Sequence, residues 1–233
     1  MKKLTIIQIL VLACLLITGC TDNFEEINTN PNAPEAVSAN LLTSTVTSEI
    51  TRTLTQEGYS DGNTITQLMA KNNFPGFAQF DWGDQGMWNF FYGILPEIDD
   101  ILEISRAEGT QNSTYEGIAL TLRALCFANL TDLYGNVPYA EALAGQSEGI
   151  FTPVYDNQEM IYDGVLADLA AADAALAQNQ SISGASGDVI YDGNPAQWRK
   201  LANALRLRYL LRISKQRDVS SAMQAIVNAG NYI

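Results

Sequence analysis

From residue 35 onward the apolar side chains recur at intervals of three and four, the period that places them on one face of a helix. The clearest run is 113–134, where Ile118, Leu122, Leu125, Asn129 and Leu133 follow one another down a single face. Ser113, with Glu116 three residues on, reads as a capping box, and Gly135 is placed to end the helix in a left-handed cap. The segment 157–178 repeats the logic, with Asp156 as its cap, Glu159 three residues on, and Ile161, Val165, Leu169, Ala172 and Leu176 on one side. Asn194 and Pro195 open another helix, a capping residue followed by proline at the first helical position. It is expected to run to Lys215 with Trp198, Leu201, Leu205 and Leu210 inward. Residues 85–108 carry Trp88, Phe91, Leu95, Ile98, Ile101, Leu102 and Ile104 as a stripe, with Pro96 as a point of kinking. Helices over 35–57, 62–72 and 218–229 complete the set, the first so rich in threonine that helix propensity works against it.

No segment sustains the alternation of a strand, and the only place for one is a short stretch at 188–191 inside the Ser-, Gly- and Asn-rich loop 179–194. The predicted fold class is all-α: helical hairpins joined by long loops. Alanine-rich stretches such as 167–177 allow the close approach found in tetratricopeptide arrays, although no clean repeat of about 34 residues is present.

The N-terminus has a different design. Lys2 and Lys3 precede an apolar run over residues 4–16, and Ile17-Thr18-Gly19-Cys20 follows. This is the layout of a secretory signal, with an apolar core too short for a bilayer span of roughly 20 residues. The last four residues are similar to a bacterial lipobox, in which the cysteine is acylated and becomes residue one of the mature chain. The expected organisation is a signal peptide at 1–19, a lipid-anchored tether at 20–34 carrying Pro31 and Pro34, and a helical domain at 35–233. Removing residues 1–19 takes away Lys2 and Lys3 and no acid, leaving 11 basic against 26 acidic residues, a formal charge of −15. Such a chain is a poor partner for nucleic acid, whose phosphates need Lys and Arg clusters. It has no electrostatic hold on anionic lipid either, so the anchor on Cys20 must supply the membrane attachment.

The chain contains no histidine. Ser-His-Asp and Cys-His catalysis are therefore closed to it, and a zinc site would lack its commonest ligand. No cofactor and no metal are expected. Of three cysteines, Cys14 leaves with the signal and Cys20 takes the lipid, so Cys126 stands alone and reads as a small buried residue. Paired-carboxylate hydrolysis stays chemically open. The obvious acidic pairs are Asp99 with Asp100 and Glu25 with Glu26; neighbours on a helix diverge by about 100°, so Asp99 and Asp100 read as a solvated face.

Three blocks, in order along the mature chain, resemble the SusD/RagB family, and most its SusD-like branch. The first runs from Cys20-Thr21-Asp22-Asn23-Phe24-Glu25-Glu26 to Asn30-Pro31-Asn32-Ala33-Pro34. The second is Leu130-Thr131-Asp132-Leu133-Tyr134-Gly135-Asn136-Val137-Pro138-Tyr139, closing a helix that carries Arg123. The third is Asp192-Gly193-Asn194-Pro195-Ala196-Gln197-Trp198-Arg199, continuing to Arg206 and Arg208. Read for structure, Tyr134 and Tyr139 are expected to pack across the turn at Gly135, Trp198 to plug a hairpin interface, and the three arginines to pair with acids or carbonyls.

The resemblance implies the N-terminal part of a SusD-like fold. It implies a non-enzymatic lipoprotein on the outer face of the outer membrane, which captures oligosaccharides or other nutrients for a SusC-like TonB-dependent transporter. The acids that follow Cys20 resemble surface-export signals. Family members are about twice as long, so the helical domain is expected to be incomplete at its C-terminus, with much of the ligand face beyond it. A helical adaptor that docks to a membrane partner without holding a ligand is the alternative.

A sugar site needs flat aromatic surface with polar neighbours. The one dense cluster is 72–86, leading to Trp88, and its glycines with Pro75 mark a loop. Phe80, Trp82 and Asp84 are the candidate ligand residues, with Asn73 and Gln79 as polar helpers. Trp88, Phe91 and Tyr92 fall in the helical stripe and read as core.

Overall fold

The computed structural model describes residues 37–73, 75–81, 86–182 and 187–233. Cys20, the signal and the tether lie outside those residues. Six helices of ten residues or more follow in order: α1 (Ala39–Glu57), α2 (Met87–Arg106), α3 (Ser113–Tyr134), α4 (Gln158–Leu176), α5 (Pro195–Ile213) and α6 (Ser220–Ala229). Among the described residues there is no strand, only one isolated antiparallel bridge between Val137 and Asp156. The all-α expectation holds. The stretch at 188–191, the one place left open for a strand, is a turn, because the buried Asp188 carboxylate draws the backbone N–H groups of Ile190, Tyr191 and Gly193 around itself.

Threonine does not prevent α1 from forming, and its buried hydroxyls are satisfied by carbonyls one turn back. Thr43 Oγ1 donates to the Ala39 carbonyl and Thr47 Oγ1 to that of Thr43, each at 2.7 Å. The helix predicted over 62–72 is largely absent. A π-turn at Gly58–Gly62 runs into one helical turn at Asn63–Ile65, and Gln67 then takes a φ of 59°. Leu68 and Met69 are exposed, so the segment has no apolar face packed on the body.

Two caps differ from expectation. Asn112, not Ser113, caps α3, accepting from Thr114 N and Tyr115 N. The Ser113 hydroxyl is buried without a hydrogen-bond partner, and Glu116 pairs with Arg106 instead of closing a box. Asn157 caps α4, which frees Asp156 to accept from Tyr139 N and Ala140 N at 3.0 and 2.8 Å. An Asx residue directly before the first helical turn outcompetes one placed a residue away, since only the former reaches the N2 and N3 amides. Asn194 caps α5 as expected, with Pro195 in its first turn. Gly135 ends α3, but at φ 77° and ψ −119°, a region that only glycine occupies readily, rather than in the left-handed helical well.

Helices α2 to α5 pack antiparallel in chain order. Arg106 reaches Glu116 across the α2–α3 turn, and Trp88 meets Tyr134 at the other end. Arg123 meets Asp168, and Tyr162 meets Asp132, between α3 and α4. Arg199 meets Asp173 between α4 and α5. The pair α3–α4 shares the most extensive interface, and α3 also touches α1, α2 and α5. It is buried around much of its circumference, so the single-face stripe read from its sequence was too narrow. Ile118 and Leu122 are core, while Leu133 is 56% exposed beyond the last packed turn. On α4, all five predicted face residues are buried.

Two glycines set how closely elements approach. A Cβ on Gly117 would lie 2.4 Å from Leu176 Cγ, so this glycine lets α3 and α4 meet. A Cβ on Gly164 would lie 2.0 Å from the Tyr139 hydroxyl, which is seated against the bare backbone of α4. Cys126 is fully buried, and burial pushes its thiol well above the ordinary range.

Candidate functional site

The predicted ligand residues fall in the connection from α1 to α2. Trp82 and Asp84 lie outside the described residues. Asn73, Gln79 and Phe80 are all exposed. Phe77–Gln79 forms one 3-10 turn, in which Gln79 N donates to the carbonyls of Pro75 and Gly76. Asp81 N donates back to Gly76 O at 3.0 Å, closing a compact knuckle. Phe80 sits on that knuckle at a φ of 68° with 62% of its surface exposed. The geometry thus brings Gln79 and Phe80 onto one turn and leaves Asn73 before it.

Directly after this loop the structure assembles a second aromatic group that the sequence did not suggest. Trp88 opens α2, and its backbone N–H donates to the Tyr134 hydroxyl at 3.1 Å. Its ring lies 4.7 Å from Tyr92, 5.2 Å edge-on to Tyr134, and 6.1 Å from Tyr155 at an interplanar angle of only 23°. Tyr92 is tied down by its hydroxyl, which donates to the Pro138 carbonyl at 2.6 Å. Burial, followed by the nearby Tyr155 and Asp156, pushes that phenol well above its ordinary range. Trp88 and Tyr92 are half-buried rather than core, and Tyr155 is 64% exposed. Tyr134 and Tyr139 do not pack on each other. Tyr139 turns inward against Phe127 at 4.7 Å, and burial raises its phenol to about 12. Only Trp88 and Tyr92 are near one another in sequence, at helical spacing, so periodicity alone assigned them to the core.

Among the described residues, clefts open between helices. One of about 540 Å³ is lined by Asp132, Gln158, Tyr162, Arg212 and Arg217. Three of its charges are matched, since Asp132 accepts from Tyr162 and pairs with Arg212, and Arg217 pairs with Asp163, while Glu159 also borders it. A second, of about 310 Å³, borders Asp99, Arg123, Tyr139 and Glu148. Arg123 there makes a two-pronged bond to Asp168 and lies 3.7 Å from Asp99, while Asp100 is exposed. Asp99 is exposed as well, so the two adjacent carboxylates form the expected solvated face. Arg206 reaches the Asn203 amide oxygen, whereas Arg208 is exposed and forms no ion pair among the described residues. Among the described residues no group of His, Cys, Asp and Glu is arranged to hold a metal. No helix there is long and apolar enough to cross a membrane.

The third cleft, about 230 Å³ between α5 and α6, contains Asp173. Burial pushes this carboxyl up, but hydrogen bonds from Arg199 and Asn203, with the charges of Arg199 and Arg206, more than reverse that and hold it below the ordinary 3.8. A carboxyl with a depressed folded pKa adds stability above its unfolded pKa and loses it as pH falls through the folded value. The urea midpoint of Asp173→Asn is therefore expected to lie below wild type at neutral pH, with the gap closing below about pH 4. A gap that stays constant with pH would show that the carboxylate is not the source.

Residues 31–233 match the SusD-like family described as starch-binding and associating with the outer membrane. The chain belongs to that family. Solved SusD-like structures share the architecture. A SusD homologue from Bacteroides fragilis superposes with a TM-score of 0.70 at 23% identity, covering 84% of this chain and 42% of that one. A SusD/RagB family protein from Bacteroides thetaiotaomicron gives 0.64 at 21% identity, with 85% and 43% covered. A chitin-binding SusD homologue from Flavobacterium johnsoniae gives 0.54 at 23% identity, with 76% and 35% covered. This SusD-like chain thus spans less than half the length of these structures. No curated protein sequence matches it.

Proposed function

We propose that this SusD-like chain is a surface lipoprotein that captures oligosaccharide for import, acting as a binding protein and not as an enzyme. The observation that carries the reading is the family match over 31–233, supported by the chitin-binding homologue of the same fold. In this reading residues 1–19 are removed as a signal, Cys20 carries the lipid, 20–34 form the tether and 35–233 the helical domain. The protein faces outward from the outer membrane beside a SusC-like TonB-dependent transporter. Phe80, Trp82 and Asp84 contact the sugar, with Asn73 and Gln79 serving its hydroxyls.

Isothermal titration of the purified chain with maltoheptaose and chitohexaose tests this. The expected result is saturable heat with at least one of the two, weakened by about tenfold in Trp82→Ala. Co-purification with a TonB-dependent barrel, with no heat from either sugar, would instead leave the adaptor role.

A further inference from the structure

The exposed aromatic group at the start of α2 is built more rigidly than a solvent-facing loop requires. Tyr155 lies in the irregular segment before α4, yet its backbone is fixed on both sides. Val154 N donates to Glu141 Oε2 at 3.1 Å, Asp156 N donates to the Val137 carbonyl at 3.0 Å, and the Asp156 carboxylate grips two further amides. Trp88 is held by its own helix and by the Tyr134 hydroxyl. Two nearly parallel rings therefore stand on pinned backbone, and the outer one is 64% exposed. Flat apolar surface that is ordered before a ligand arrives costs little entropy to use.

We propose that Trp88 and Tyr155, backed by Tyr134, form a stacking ledge for one ring of a neutral pyranoside, separate from the 72–86 loop. This rests on the carbohydrate reading above. A hexopyranose presents a face of C–H groups that fits against an aromatic plane, and its hydroxyls remain in water at the rim. Charge selects the neutral class. The segments that carry the ledge bear Glu141, Asp156 and Glu159, and the chain as a whole is at −13, so an anionic sugar would meet like charge.

The test uses the full chain in detergent, titrated with chitohexaose and with maltoheptaose, as wild type, Tyr155→Ala, Tyr155→Leu, Tyr155→Phe and Trp82→Ala. Tyr155 offers an exposed ring, so melting temperatures are expected to stay level across its three variants. Tyr155→Phe keeps the plane and should bind within about twofold of wild type, while Ala and Leu should bind about tenfold more weakly. Equal losses in Phe and Ala would assign the contact to the hydroxyl and overturn stacking. Unchanged affinity in Tyr155→Ala, with loss in Trp82→Ala, would overturn the ledge and leave the carbohydrate reading standing. Absence of heat from wild type with both sugars would overturn that reading and the ledge with it.

Discussion

Replacing Asp188 with alanine is expected to destabilise the domain by about 4 kcal/mol, among the largest effects available to a single side chain here. The carboxylate is 3% exposed. It accepts from Ile190 N at 2.8 Å, Tyr191 N at 3.2 Å, Gly193 N at 2.9 Å and the Trp198 indole N–H at 2.6 Å. Alanine strands all four donors, and each buried group left unpaired costs about 1–3 kcal/mol before the site relaxes or admits water. The loop also loses the post around which it turns, and the indole of Trp198, fully buried between hairpins, loses its hydrogen bond. Urea denaturation should show a lower midpoint with an unchanged slope, and the thermal midpoint should fall by about 10 °C. Asp188→Asn should fall between the two, because its amide keeps one accepting oxygen and turns two donors towards a site that has donors only. A cost below about 1 kcal/mol for alanine would mean that water replaces the carboxylate without penalty.

The second large effect is expected at Arg123. Its guanidinium grips Asp168 with both prongs, at 2.8 and 2.7 Å, across the most extensive helix interface. Asp168 is 8% exposed. Arg123→Met leaves that carboxylate buried without its counter-charge, and the expected cost is about 3 kcal/mol. The double variant Arg123→Met with Asp168→Leu removes both desolvated charges together and should recover to within about 1 kcal/mol of wild type. The contrast is the measurement. If the double variant is as unstable as the sum of its parts, the guanidinium stem contributes through packing rather than through the ion pair.

Residues that act through local spacing were readable in advance. The α4 stripe, the Asn194-Pro195 helix start and the burial of Trp198 follow from patterns within a few turns of chain. The Ser113 and Asp156 caps were misassigned because several capping residues stand side by side, and periodicity does not say which of them directly precedes the first turn; the displaced residues meet distant partners instead, Ser113 N with Gln180 and Asp156 with Tyr139. Leu133 was placed inside because periodicity does not say where the neighbouring helix ends. At the candidate site, Phe80 and Gln79 were legible as an exposed loop, since glycine and proline mark such places directly. The ledge was not, because Trp88, Tyr134 and Tyr155 come from three separate segments, and nothing in any one of them announces the other two.

The contact between Tyr139 and Gly164 restricts the order in which this lineage can change. Hydroxyl and ring atoms of Tyr139 stand at 2.0, 2.5 and 2.7 Å from where a Cβ on residue 164 would be. Removing the hydroxyl alone therefore does not make room. Position 139 must first accept a smaller side chain, or the turn that carries it must shift, before position 164 can become anything but glycine. The two sites, on opposite sides of a loop and a bridge, behave in inheritance as one, and descendants that vary at 164 should already have lost the tyrosine or moved its ring.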